Sequence, residues 1–69
     1  DEEIGKSISI FLNKQKEVVR RVFLLKYFYF ESNIAIAERC GFTERKVTHM
    51  LAHTGAQLKE YLIKEEIYL

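Results

Sequence analysis

"NIAIAERCGFTERKVTHMLA", residues 33–52, decides how the rest of the chain is read. Ala37 falls where two helices touch and only a small side chain fits. Gly41, four residues on, supplies the left-handed residue that closes a helix. Val47, six residues further, packs a second helix back on the first, and Met50 follows three later. Ile36 and Phe42 fill the remaining inward positions. Small, Gly and apolar residues at this spacing each answer a separate geometric demand, and together they predict a helix-turn-helix. The plainer alternative is any small helical bundle that happens to hold an Ala, a Gly and a Val.

Outward from this stretch the periodicity stays helical. Ser32 is the expected N-cap of the third helix, with Ile34, Ile36, Ala37 and Cys40 pointing inward. Thr43 caps the fourth, whose buried face is Val47, Met50, Leu51, Thr54, Leu58, Tyr61 and Leu62. It runs to about residue 65, and Gly55 within it costs roughly 1 kcal/mol relative to Ala. Ile4, Ile8, Phe11 and Leu12 predict a first amphipathic helix over roughly residues 2–12, with acids at 1–3 at its positive end. Asn13 is the expected N-cap of a second helix carrying Val18, Val19, Val22, Phe23, Leu24, Leu25, Tyr27 and Phe28. That helix is apolar nearly all round, which predicts the central, most buried position. A helix cannot bury all of Tyr27, Phe28, Tyr29 and Phe30, so one or two should be exposed. The expected fold class is all-α: four helices, a helix-turn-helix and no sheet.

Composition narrows the function classes. Sixty-nine residues predict one domain near the lower size for folding alone. The first residue is Asp and not Met, which predicts a piece cut from a longer protein. Eleven basic and ten acidic residues nearly cancel, so overall charge announces no nucleic-acid partner. A single cysteine, Cys40, excludes an internal disulfide and a CxxC pattern and reads as a small buried hydrophobe. No apolar run reaches a membrane span and no signal peptide is visible, which predicts a cytoplasmic protein without a membrane partner. No nucleophile–base pair, carboxylate pair or phosphate loop is present. The expectation is therefore a protein that is not an enzyme, with no cofactor and no small-molecule substrate.

Three motifs in order carry a family likeness: "RRVFLLKYF" at 20–28, "ESNIAIAERCGFTERKV" at 31–47 and "LKEYLIKEEIYL" at 58–69. Together they resemble region 4 of bacterial sigma factors, the C-terminal domain of the sigma-70 family, and especially its extracytoplasmic-function branch. The resemblance implies the winged-helix-like, region 4 type of helix-turn-helix. It also implies recognition of the −35 promoter element, with the fourth helix in the major groove. Implied partners are promoter DNA, bound weakly by the domain alone, the β-subunit flap of RNA polymerase core, and an anti-sigma factor. Two rival readings remain: a LuxR/response-regulator-type DNA-binding domain, and a degenerate region 4 that serves as a protein-interaction module.

This chain departs from the family pattern in charge. Ala35 stands where an acid would complete a capping box, and Glu31 where an apolar residue is expected. Residues 47–58 hold no Lys, Arg, Asp or Glu. Thr48, His49, His53, Gly55, Ala56 and Gln57 replace the family's polar and basic residues, and only the two histidines can become cationic. Each phosphate contact contributes about 0.9 to the slope of log affinity against log salt. Losing four such contacts flattens that dependence by roughly 3–4 units.

The expected DNA-binding residues follow from the helical wheel and the likeness together. Arg45, Thr48, His49, Ala52 and Ala56 point outward on the fourth helix, and Glu44 and His53 are counted with the expected contacts. Thr43 offers a phosphate the backbone N–H groups of the helix start. Arg45 reaches a base edge and Lys46 a phosphate. Arg39 lies near the turn. Arg20 and Lys26 occupy positions that are Arg in the family and flank the groove, although a solvated rim is the plainer reading of these cations. His49 and His53 are four apart, a spacing that can share a metal, but no acid or Cys stands at matching spacing, so no metal is expected.

Overall fold

The computed structural model describes residues 2–65. They form four helices: α1 (Glu2–Asn13), α2 (Glu17–Tyr27), α3 (Asn33–Cys40) and α4 (Glu44–Lys64). No strand occurs among the described residues, so the fold is all-α. None of the described helices is long and apolar enough to cross a membrane.

The two caps that the sequence predicts around α3 and α4 are in place. Ser32 Oγ accepts the Ala35 N–H at 3.1 Å, and Thr43 Oγ1 accepts the Lys46 N–H at 3.1 Å. Such caps contribute about 1 kcal/mol each by satisfying first-turn donors. Gly41 ends α3 in the left-handed region, at φ 73°. That conformation turns the chain so that the Phe42 N–H donates to the Ala37 carbonyl at 2.8 Å. Three residues, Gly41, Phe42 and Thr43, therefore separate α3 from α4.

Two apolar clusters hold the helices together. The first joins Val22 of α2, Ile36 and Ala37 of α3, and Val47 and Leu51 of α4, with Leu25, Cys40, Phe42 and Met50 around them. The second joins Phe11 and Leu12 of α1 to Phe23 of α2, with Ile8, Leu24, Leu58 and Tyr61 packed on them. The α4 helix contributes to both clusters and contacts each of the other three helices. It is the central element, where the sequence pattern pointed to α2.

Four expectations need correcting. The α2 helix is not apolar-buried all round: Val22 and Phe23 are buried, but Val18 is 39% exposed. Val22 packs with α3 and α4 and Phe23 with α1, while Val18 lies on the side left to solvent. Asn13 is the last residue of α1 and does not cap α2, which starts after Lys16 with no side-chain cap. The Lys14 and Gln15 N–H groups donate to the Phe11 and Leu12 carbonyls, so the buried end of α1 carries the chain one turn further. Ile34 is 58% exposed, because burial of Ile36 and Ala37 on this short helix turns it outward. All four residues of the aromatic run 27–30 are exposed, since the chain turns away from the core there.

Two glycine substitutions should move stability in opposite directions. A Cβ at Gly41 or Gly55 would meet no atom within 4 Å, so backbone conformation alone decides. Gly41→Ala is expected to lower unfolding stability by about 1–2 kcal/mol, the cost of placing an L-residue in the left-handed region. Gly55→Ala is expected to raise it by about 0.5–1 kcal/mol through helix propensity. Urea denaturation of the two variants beside the parent checks both signs.

Candidate nucleic-acid interface

The core decides which side of α4 faces out. Val47, Leu51 and Thr54 recur at helical spacing and are all buried. The opposite face is left to solvent. Glu44, Arg45, Thr48, His49 and Ala52 line one shallow surface there, and all five are exposed. His53 and Ala56 continue the exposed side of the helix. Five of the residues expected to meet DNA are thus brought together, and their exposure follows from the burial of their neighbours.

The hydroxyl of Thr48 is committed within the protein. It donates to the Glu44 carbonyl at 3.0 Å and accepts from Asn33 Nδ2 at 3.0 Å. A hydroxyl has one proton and two lone pairs. Thr48 can therefore offer an incoming ligand one acceptor site and its methyl group, but no donor. The same bond ties the start of α3 to the second turn of α4. It has a cost: the other end of that amide, Asn33 Oδ1, is buried and finds no partner among the described residues. Asn33 carries no capping or periodic signal in the sequence. It lies fifteen positions from Thr48, and no periodicity relates the two before the helices are placed.

The cations fall into different settings. Arg45 is exposed and carries no ion pair among the described residues. The Lys46 ammonium lies over the Phe42 ring, 4.3 Å from its centroid, which holds it beside the turn. Thr43 uses its hydroxyl on the Lys46 N–H, while Glu44 supplies the anion favoured at a helix start. That carboxylate competes with any phosphate brought to the same end.

Arg39 is elsewhere. Its guanidinium takes both oxygens of Glu31, at 3.0 and 2.8 Å, so its charge is matched within the protein. With Arg20 it lines a separate cleft of about 580 Å³ whose other walls include Arg21, Leu24, Leu25 and Tyr29. No residue is common to this cleft and the α4 surface. Lys26 is half-buried on α2. The expected site therefore divides into a group on α4 and a group on α2 and α3. Glu31 clamps Arg39 across the turn between α2 and α3.

Among the described residues no group of three His, Cys, Asp or Glu side chains is placed to hold a metal, so His49 and His53 stand as a pair. No protein-family model, no curated protein and no solved structure matches this chain.

The Glu31–Arg39 pair is open to water, with side chains 21% and 55% exposed. Its coupling energy in a double-mutant cycle of Glu31→Gln and Arg39→Ala is expected to be below about 1 kcal/mol. Chemical denaturation of the four proteins measures it, and a coupling of 3 kcal/mol or more would mean a far drier pair.

Proposed function

We propose that the chain is a DNA-binding domain of the sigma region 4 kind, in which α3, the Gly41 turn and α4 act as a helix-turn-helix. The carrying observation is the pairing of one clamped face of α4, through Val47 and Leu51, with one wholly exposed face. Such a helix can be laid in a major groove without unfolding anything. The three motifs at 20–28, 31–47 and 58–69 support the same reading. On it the domain recognises a −35 promoter element and also touches RNA polymerase.

The residue roles follow from what each side chain has free. Arg45, in the first turn of α4 and without an ion pair among the described residues, takes the O6/N7 edge of a guanine. Lys46, beside the turn, meets a phosphate. Thr48 offers a methyl group and one acceptor, and Ala52 a methyl group. His49 lies on the same face. Arg39, already held by Glu31, contributes little charge to DNA.

A second reading is favoured by one observation. Beyond Lys46 the exposed face of α4 carries no Lys or Arg until Lys59. A protein that keeps this fold and has given up DNA would look the same. In that case the domain is a protein-interaction module.

Fluorescence anisotropy against promoter duplexes, with polymerase present to bring binding into range, separates the two. Arg45→Ala is expected to cost about 1–3 kcal/mol and to relax preference at one base pair. Lys46→Ala is expected to weaken all sequences alike. If Arg45→Ala leaves promoter choice unchanged while polymerase is still bound, the interaction-module reading replaces the first. For the domain alone, the slope of log affinity against log salt is expected to be no steeper than about −3, at roughly 0.9 per phosphate. A slope matching six or more phosphates would remove the charge argument.

A further inference from the structure

Of the five residues that line the exposed surface of α4, Arg45 is the one fixed cation and Glu44 the one anion. Ala52 has no side-chain group that donates or accepts. Thr48 has a hydroxyl, but its proton is spent on the Glu44 carbonyl, and Asn33 Nδ2 takes one of its lone pairs. In a helix a threonine divides between two χ1 wells, one of which bonds the carbonyl four residues back. The Asn33 amide, reaching across from α3, meets the hydroxyl in that well. What Thr48 and Ala52 leave for a ligand is two methyl groups and a single lone pair.

Spacing along the helix places these methyl groups relative to Arg45. At about 1.5 Å per residue, Thr48 stands about 4.5 Å and Ala52 about 10.5 Å further along the axis. Base pairs follow one another at about 3.4 Å. With α4 lying along a groove, the two methyl groups fall roughly one and three steps from the base that Arg45 meets. Thymine alone among the four bases offers the major groove an apolar group, its 5-methyl. Cytosine is the competitor, because its amine finds an acceptor in the last lone pair of Thr48 or in the Glu44 carboxylate.

We propose that α4 selects thymine by its 5-methyl group, within a few base pairs of a guanine held by Arg45, and that Asn33 is a positioning residue that keeps Thr48 turned for this contact. The inference rests on the DNA-binding reading and adds the base that the neutral part of the face selects. Burying one methyl group is worth about fourfold in affinity. Unlike a phosphate contact, it releases no counterion and so adds nothing to the salt dependence. A face without Lys or Arg beyond Lys46 therefore still discriminates between sequences, and does so by shape.

Selection by the 69-residue chain at low salt, from a duplex pool with about ten randomised base pairs, identifies the preferred sequence. Guanine with thymine close by is expected. Anisotropy then compares base changes in that duplex. Deoxyuridine in place of the thymine deletes only the methyl group and is expected to weaken binding about fourfold. Cytosine there also weakens it, and 5-methylcytosine binds more tightly than cytosine. Thr48→Ser keeps the hydroxyl and loses the methyl, so the ratio of thymine to uracil affinity at its base pair is expected to fall to about 1. Thr48→Val carries a methyl at both γ positions and recovers the ratio. Asn33→Ala is expected to lower the ratio about twofold in the parent and not in Thr48→Val, whereas a merely structural loss would weaken both duplexes alike. Equal binding of thymine and uracil duplexes, a selected sequence without thymine near the guanine, or a ratio untouched by Thr48→Ser overturns the proposal and leaves DNA binding standing. An unchanged ratio in Asn33→Ala overturns the role given to Asn33. Retention of no duplex at all overturns the proposal together with the DNA-binding reading.

Discussion

Ile36 and Val47 are fully buried, one on each side of the three-residue turn, with Ala37 beside them. The placement of α3 against α4 depends on that contact. Each of these branched side chains contributes about 1.5–3 kcal/mol by leaving water, a large share of what so small a chain can gather. The contact also sets geometry. A larger residue at Ala37 would push α3 from α4, and the exposed face of α4 would then turn toward the core or away from Asn33. The turn is built to keep the approach close: Gly41 reverses the chain in the left-handed region, and Ser32 and Thr43 finish the two helix starts without help from elsewhere. Core packing and surface display are thus two sides of one helix, fixed together.

The same logic explains how much could be read in advance. Caps, the left-handed glycine and the inward face of α4 are local properties, each decided within four or five residues. Ser32, Gly41, Thr43, Val47 and Leu51 fall where periodicity and capping chemistry put them. What failed was decided by distant neighbours. The composition of α2 says that it is apolar; it cannot say that Val18 will be left facing solvent. Ile34 has the side chain of a core residue, but on an eight-residue helix the stronger claims of Ile36 and Ala37 turn it out. Asn13 is a favoured cap type, yet the burial of Phe11 and Leu12 extends α1 through it. In the candidate site, exposure of Arg45, Thr48, His49 and Ala52 was legible from the wheel. The Asn33–Thr48 and Glu31–Arg39 bonds were not, because both cross between elements whose mutual placement no local pattern encodes.

Those two cross-links also show how polar side chains are used here. Neither adds much stability: one is solvent-exposed, and the other leaves an amide oxygen buried with no partner among the described residues. Each instead fixes an orientation. Asn33 holds the second turn of α4 against the start of α3. Glu31 pins the α2–α3 turn in a conformation that Phe30 would not adopt alone. The strain at Phe30 is tolerated because the surroundings over-determine it.

On the proposed reading, the quiet face of α4 has a consequence for how DNA is chosen. Phosphate contacts raise affinity for every sequence, whereas base contacts raise it for one. A helix that keeps only Lys46 for the first and Arg45, Thr48 and Ala52 for the second binds little by itself. Its discrimination between sites suffers less than its affinity does. Such a domain works only when another body holds it near the duplex. Attachment to a larger assembly supplies an effective concentration in the millimolar range for a short flexible link. With binding driven from outside, weak contacts to bases are sufficient to select a register, and strong contacts to phosphates would trap the assembly on wrong sites. A nearly neutral recognition face is then compatible with promoter reading, provided that the domain is carried to the promoter by a partner and does not arrive alone.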